Sequence, residues 1–98
     1  MPQERNIQRR IIETLHDEGI WAGKMNIEGR NGYPDVIAMK NGKVALLEVK
    51  ADEAARCANT DRNELQRVRH DELRRHGIPV AVVISVREAM AFARKALA

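Results

Sequence analysis

The chain has a single cysteine among its 98 residues, Cys57, so no internal disulfide can staple it. No apolar run approaches the ~18 residues of a membrane span, and the opening stretch MPQERNIQRR lacks the apolar core of a secretory leader. A soluble protein of the reducing cytoplasm, with no membrane partner, is therefore expected. Aromatic residues amount to only 3%, with Trp21 the sole tryptophan, and core packing accounts for it better than a stacking platform does. His16 and His76 have no metal-ligand spacing with each other or with Cys57, which argues against zinc. Repeats, linkers and low-complexity segments are also missing, so residues 1–98 read as one domain.

A domain this small buries somewhat over ~60% of its unfolded surface, and a second copy would add stability, so a homodimer is expected. Lys and Arg number 17 against 14 Asp and Glu, giving a net charge of +3 and a pI near 9.4. That balance hints at a polyanionic partner, and placement says more than the total. Arg5, Arg9 and Arg10 open the chain, Lys24 and Arg30 precede its central stretch, and Arg62, Arg67, Arg69, Arg74 and Arg75 surround a later helix. Arginine predominates over lysine, which suits bidentate contacts to phosphate.

The central stretch is GYPDVIAMKNGKVALLEVK, residues 32–50. Two apolar runs, Val36 to Met39 and Val44 to Val49, flank Asn41-Gly42, the strongest short-range hairpin signal. With those two residues as the loop, Lys40 faces Lys43, and counting back places Asp35 opposite Glu48. Alternation then puts Asp35, Ile37, Met39, Val44, Leu46, Glu48 and Lys50 on one face, so three charged groups end an otherwise apolar surface. Directly opposed Cβ atoms lie roughly 4.5–5.5 Å apart, where two like charges oppose folding unless a cation separates them. A hard divalent ion held by two carboxylates fits Mg²⁺, or Mn²⁺ in its place. Lys50, on the same face, is suited to orienting water, favouring its deprotonation or offsetting charge on a phosphate. Without metal, the pair should raise at least one carboxyl pKa. On spacing alone Glu48-x-Lys50 also fits a solvated strand end, but the opposed Asp35 behind Pro34 speaks against that.

Around the hairpin, residues from about Pro2 to Asp17 read as a helix with Ile7, Ile11 and Leu15 as its buried stripe and Ile12 beside it. Glu4 falls in the middle of that stripe, which fits either an acid with a partner at the site or a frayed, solvated helix start. Ile20 to Glu28 reads as a strand, and the loop at Gly29-Arg30-Asn31-Gly32 permits close backbone approach, with Arg30 placed for a phosphate. Residues 51–60 are a loop or short helix. Asp61 and Glu64 have capping-box spacing for a helix to about His76 whose Leu65, Val68 and Leu73 face the core and whose Gln66 and His70 share a flank. Pro79 to Ile84 reads as a buried mid-sheet strand, and Ser85 with Glu88 caps a final helix, Val86 to about Leu97.

Pro34-Asp35, twelve residues, then Glu48-Val49-Lys50 resembles the PD-(D/E)XK nuclease signature. The ordered set of Glu4, Gly32-Tyr33-Pro34-Asp35, Glu48-Val49-Lys50, Leu65-Gln66 and a Gly77-bounded strand resembles the VRR-NUC branch, across roughly residues 4–86. The resemblance implies a restriction-endonuclease-like α/β core of order α-β-β-β-α-β-α, with a mixed central sheet flanked by helices. It implies a Mg²⁺- or Mn²⁺-dependent endodeoxyribonuclease in which Asp35, Glu48 and the Val49 carbonyl bind metal, Glu4 completes the shell, Lys50 activates or positions water, and Gln66 orients water or phosphate. Arg5, Arg9, Arg30, Arg62, Arg67 and His70 are the expected contacts to DNA. Small stand-alone members of the group are similar to dimeric junction-cutting enzymes, so a four-way junction is the first substrate expected. The alternatives are a non-catalytic nucleic-acid-binding module and a nuclease of flaps or duplex ends.

Overall fold

The computed structural model describes residues 2–29 and 31–98, so Arg30 lies outside the described residues. The elements run α1 (Pro2–Asp17), β1 (Trp21–Lys24), β2 (Val36–Lys40), β3 (Lys43–Val49), α2 (Glu53–Cys57), α3 (Asp61–Arg75), β4 (Val80–Val83) and α4 (Val86–Ala96). This is the expected order with one short helix, α2, added. The sheet order is β1-β2-β3-β4, antiparallel except for the parallel β3–β4 pair, and helices flank it.

Asn41-Gly42 is the hairpin loop, with φ of 53° and 81°, the two positive values a type I′ turn requires. Lys40 pairs with Lys43 and Val36 with Leu47, so the counted register holds along the ladder. The face carrying Val36, Ala38, Ala45, Leu47, Val49 and Val83 forms the core against Ile11 and Leu15 of α1 and Ala89, Met90 and Ala93 of α4. The opposite face carries Ile37, Met39, Leu46 and Glu48, and α3 packs over its β4 side.

Four details differ from the sequence reading. β4 lies at a sheet edge, paired only with β3; its apolar run reflects cover on its two faces, which says nothing of its edges. β1 stops at Lys24, after which Met25 N–H still donates to the Asp35 carbonyl at 2.7 Å before the chain turns away. Trp21 is 55% exposed, because it lies on the α3 face at the opposite edge, beyond the helix's cover. The α3 N-cap is Thr60, whose hydroxyl accepts the Asn63 N–H at 3.1 Å, one residue before the Asp61 the spacing suggested.

The inner face of α3 also differs. Val68 is 52% exposed and Leu65 and Leu73 are only partly buried, whereas Asn63, Gln66 and His70 are buried. The strand surface beneath carries Glu48 and Lys50, so a polar helix face is the complementary one.

Gly32 sets the approach of this helix to the loop before β2. Its φ is +88°, and a Cβ there would sit 2.8 Å from Leu65 Cγ and 3.0 Å from Arg69 Cγ. The close approach is therefore between the chain and its own helix. Gly32→Ala is expected to destabilise the fold by about 2 kcal/mol, combining left-handed backbone strain with overpacking. A urea midpoint within error of the parent's would refute it.

Candidate active site

Pro34 is buried and fixes the entry to β2; Asp35 follows, its N–H donating to the Leu47 carbonyl at 3.0 Å. Its carboxylate Oδ2 accepts the Val49 N–H at 3.0 Å. The ladder register puts Glu48 opposite, on the same sheet face. Glu48 is 1% exposed, and among the described residues neither of its carboxylate oxygens has a hydrogen-bond partner. An unsatisfied buried polar group costs about 1–3 kcal/mol, more when charged, so this arrangement needs a chemical reason.

Burial first, and the Glu48 carboxylate second, raise the Asp35 carboxyl to about 7; burial also raises Glu48. As two carboxylates they have no donor between them, and protonation of Asp35 supplies one. His70, 2% exposed, faces the pair with its Nε2 3.6 Å from Glu48 Oε1, too long for a hydrogen bond. Burial, then Arg74, hold the imidazole down to about 4, so it is neutral at neutral pH and forms no ion pair with Glu48. The ring was expected on the DNA surface; it is instead enclosed beneath α3, because the helix turns its 63-66-70 stripe inward.

Lys50 is also buried, and its Nζ donates to Asn63 Oδ1 at 3.0 Å. Its charge lowers both acids, opposing their burial. The Asn63 amide nitrogen in turn donates to the carbonyls of Ala55 at 3.1 Å and Ala58 at 2.7 Å. Every polar group of Asn63 is thus used, and Lys50 is held from the α2 segment as well as from α3. Sequence reading passed over Asn63; the signal available was its spacing of three and seven residues from Gln66 and His70, which marks one helix face. Asn63→Ala should lower the cleavage rate constant about tenfold with substrate affinity nearly unchanged, by releasing Lys50; single-turnover kinetics read this. An affinity loss without a rate loss would contradict it.

Gln66, 5% exposed, lines both a cavity of about 410 Å³ that also touches Asp35 and Arg62 and one of about 150 Å³ that also touches Lys50 and His70. Glu4 lies half-buried on α1, and its charge reaches Glu48, but it lines a separate cavity of about 110 Å³ with Arg5, Gln8 and Lys24. Among the described residues no three His, Cys, Asp or Glu side chains gather closely enough to hold an ion between them. The acid pair stands by itself, with the Val49 side chain turned into the core on the other face. Arg5 and Arg62 are exposed. Arg9 pairs with Glu13 at 4.0 Å and Arg67 with Glu64 at 3.2 Å, exposed pairs that bind the arginines only weakly.

No family model and no curated protein matches the sequence. A solved structure described as a VRR_NUC domain does: TM-score 0.76 and 29% identity, over 94% of this chain and 95% of that one. The chain is similar to a VRR-NUC domain over nearly its whole length. It carries that domain's mixed α/β architecture within the PD-(D/E)XK class, and VRR-NUC domains form a nuclease family. The Pro34-Asp35 and Glu48-Val49-Lys50 segments of this VRR-NUC-like fold meet at one end of the β2–β3 ladder, beside the α3 polar stripe.

Proposed function

We propose that this VRR-NUC-like domain is a divalent-metal-dependent DNA endonuclease that hydrolyses phosphodiesters. The observation that carries the reading is Glu48: a buried carboxylate with both oxygens free of donors among the described residues, opposite Asp35 and close to a buried lysine. That donor set suits a hard cation, Mg²⁺ or Mn²⁺, with Asp35 and Glu48 as ligands and the Val49 carbonyl and Glu4 as additional oxygen donors. When bound, the cation supplies positive charge to a phosphoryl oxygen and acidifies water.

The protein's own groups do the rest. Lys50, fixed by Asn63, offsets charge that develops on the phosphate or helps to remove the water proton. Gln66 presents an amide between the acid pair and the lysine, where it orients water or phosphate. Neutral His70 closes the base of the site and excludes solvent from Glu48. Arg5 and Arg62, with Arg9, Arg67 and Arg30, meet the DNA backbone, so recognition is of shape and phosphate more than base sequence. One such site cuts one strand; a homodimer with two-fold symmetry would make a paired incision in a four-way junction.

The test is a panel of labelled four-way, flap, splayed-arm and duplex substrates incubated with Mg²⁺, Mn²⁺ or EDTA. Metal-dependent symmetric nicking of the four-way substrate is expected. Preferential cutting of flaps or ends would replace the junction assignment, and binding without cleavage under every metal would leave a non-catalytic module.

A further inference from the structure

We infer that a second phosphate-binding subsite lies between α1 and the start of α4, where it takes the backbone of the DNA strand beyond the cleaved bond. A cavity of about 720 Å³ opens there, with Gln3, Asn6 and Arg10 on one wall, Arg87 on the other and Ile7 and Val86 among its apolar lining. Among the described residues no carboxylate lines it. The Arg10 and Arg87 guanidinium groups make no hydrogen bond or ion pair with any described residue, unlike Arg9, Arg56, Arg67, Arg69, Arg74 and Arg94.

Two guanidinium groups from different helices, lining one cavity without a carboxylate among its described residues, form a positive field that favours an anion. The cavity also includes Ser85 and Val86, at the N-terminus of the eleven-residue α4, whose dipole has the same sign. The apolar lining and the amides of Gln3 and Asn6 suit a sugar and a base edge better than a bare inorganic ion. Ala51 is part of the wall and directly follows Lys50, so the subsite opens one residue from the proposed reaction centre. Along α1, Gln3, Asn6 and Arg10 occupy one flank and Arg5 and Gln8 the other, with Glu4 between them. A strand crossing this end of the sheet would meet cations on both sides of the acids.

The inference rests on the nuclease reading for its ligand, and the experiment separates the two. Binding of fluorescent single-stranded and duplex DNA is measured in EDTA over a salt series, for the parent and for an Arg10→Gln, Arg87→Gln double variant. Loss of one phosphate contact is expected to reduce the slope of log affinity against log salt by ~0.7–0.9 and to weaken binding roughly tenfold at fixed salt. The double Lys variant should recover most of the slope, which a general packing defect would not allow. An unchanged slope in the Gln variant overturns the subsite. Amide shifts at Arg10 and Arg87 with a deoxynucleoside monophosphate, combined with an unchanged DNA slope, assign the cavity to a free nucleotide and overturn the strand assignment. Because metal is withheld, failure of the parent to cleave in Mg²⁺ refutes the nuclease reading alone and leaves the slope interpretable.

Discussion

Glu48→Gln is expected to lower metal-dependent cleavage by about 10³-fold or more while making the metal-free protein more stable. The two effects have one cause. Glu48 is 1% exposed, opposed to Asp35, and among the described residues has no donor to either oxygen. Without metal, folding therefore desolvates a carboxylate whose donor is the proton that Asp35 takes up, and leaves it unsatisfied once Asp35 ionises. Glutamine has nearly the same shape, its amide N–H can donate to Asp35, and its carbonyl faces the His70 Nε2 that now stands 3.6 Å away. Removing the charge and supplying a donor should add about 1–3 kcal/mol, and each kcal/mol shifts the melting temperature of a domain this size by about 4–8 °C. Under the proposed function the same substitution removes a metal ligand, and with it the charge stabilisation that cleavage would draw on. Thermal denaturation in EDTA and single-turnover cleavage in Mg²⁺ give both readouts. A variant that cuts within tenfold of the parent, or melts lower in EDTA, would show that Glu48 is an ordinary structural carboxylate.

What the sequence made legible follows from how local each signal is. Asn41-Gly42 fixes a two-residue loop, a two-residue loop fixes register, and register alone opposes Asp35 to Glu48; no distant contact enters that chain of reasoning. Ser85 and Glu88 behave the same way, with the Glu88 N–H on the Ser85 hydroxyl at 3.1 Å. The failures depend on tertiary placement. Apolar runs reveal burial of strand faces, so Val80–Val83 looked central although it forms an edge. Trp21 has the composition of a core residue and an edge position that leaves it uncovered. In α3 the periodicity of Leu65, Val68 and Leu73 pointed the wrong way, because the helix covers charged strand residues and must bring Asn63, Gln66 and His70 to them. A helix over charged strand residues must turn a polar stripe toward them, and hydrophobic periodicity cannot report that.

The second large effect is a pH-dependent response to metal, set by opposite shifts of Asp35 and His70. Asp35 titrates near 3.8 when unfolded and near 7 when folded. Its contribution to stability is therefore complete below about 3.8 and is lost as the pH rises through about 7. His70 moves oppositely, from 6.5 down to about 4, so its contribution is present above 6.5 and lost as the pH falls toward 4. Between about 4 and 6.5 the two nearly cancel; above 6.5 Asp35 dominates, and the raised Glu48 carboxyl acts in the same direction. The metal-free protein should accordingly lose stability between about pH 6.5 and 8, on the order of 1 kcal/mol. A divalent cation competes with that proton. Apparent metal affinity should fall about tenfold for each unit below 7, and a cation at 100 times its dissociation constant adds about 2.7 kcal/mol. Thermal scans at about pH 6, 7 and 8, in EDTA and in millimolar Mg²⁺ or Mn²⁺, should show a metal-induced rise that grows with pH and reverses the metal-free trend. Asp35→Asn should flatten the metal-free curve above 6.5 and remove most of the metal response. A metal shift that is absent at every pH, or largest at the lowest, would mean that the acid pair holds a proton for structural reasons and binds no cation.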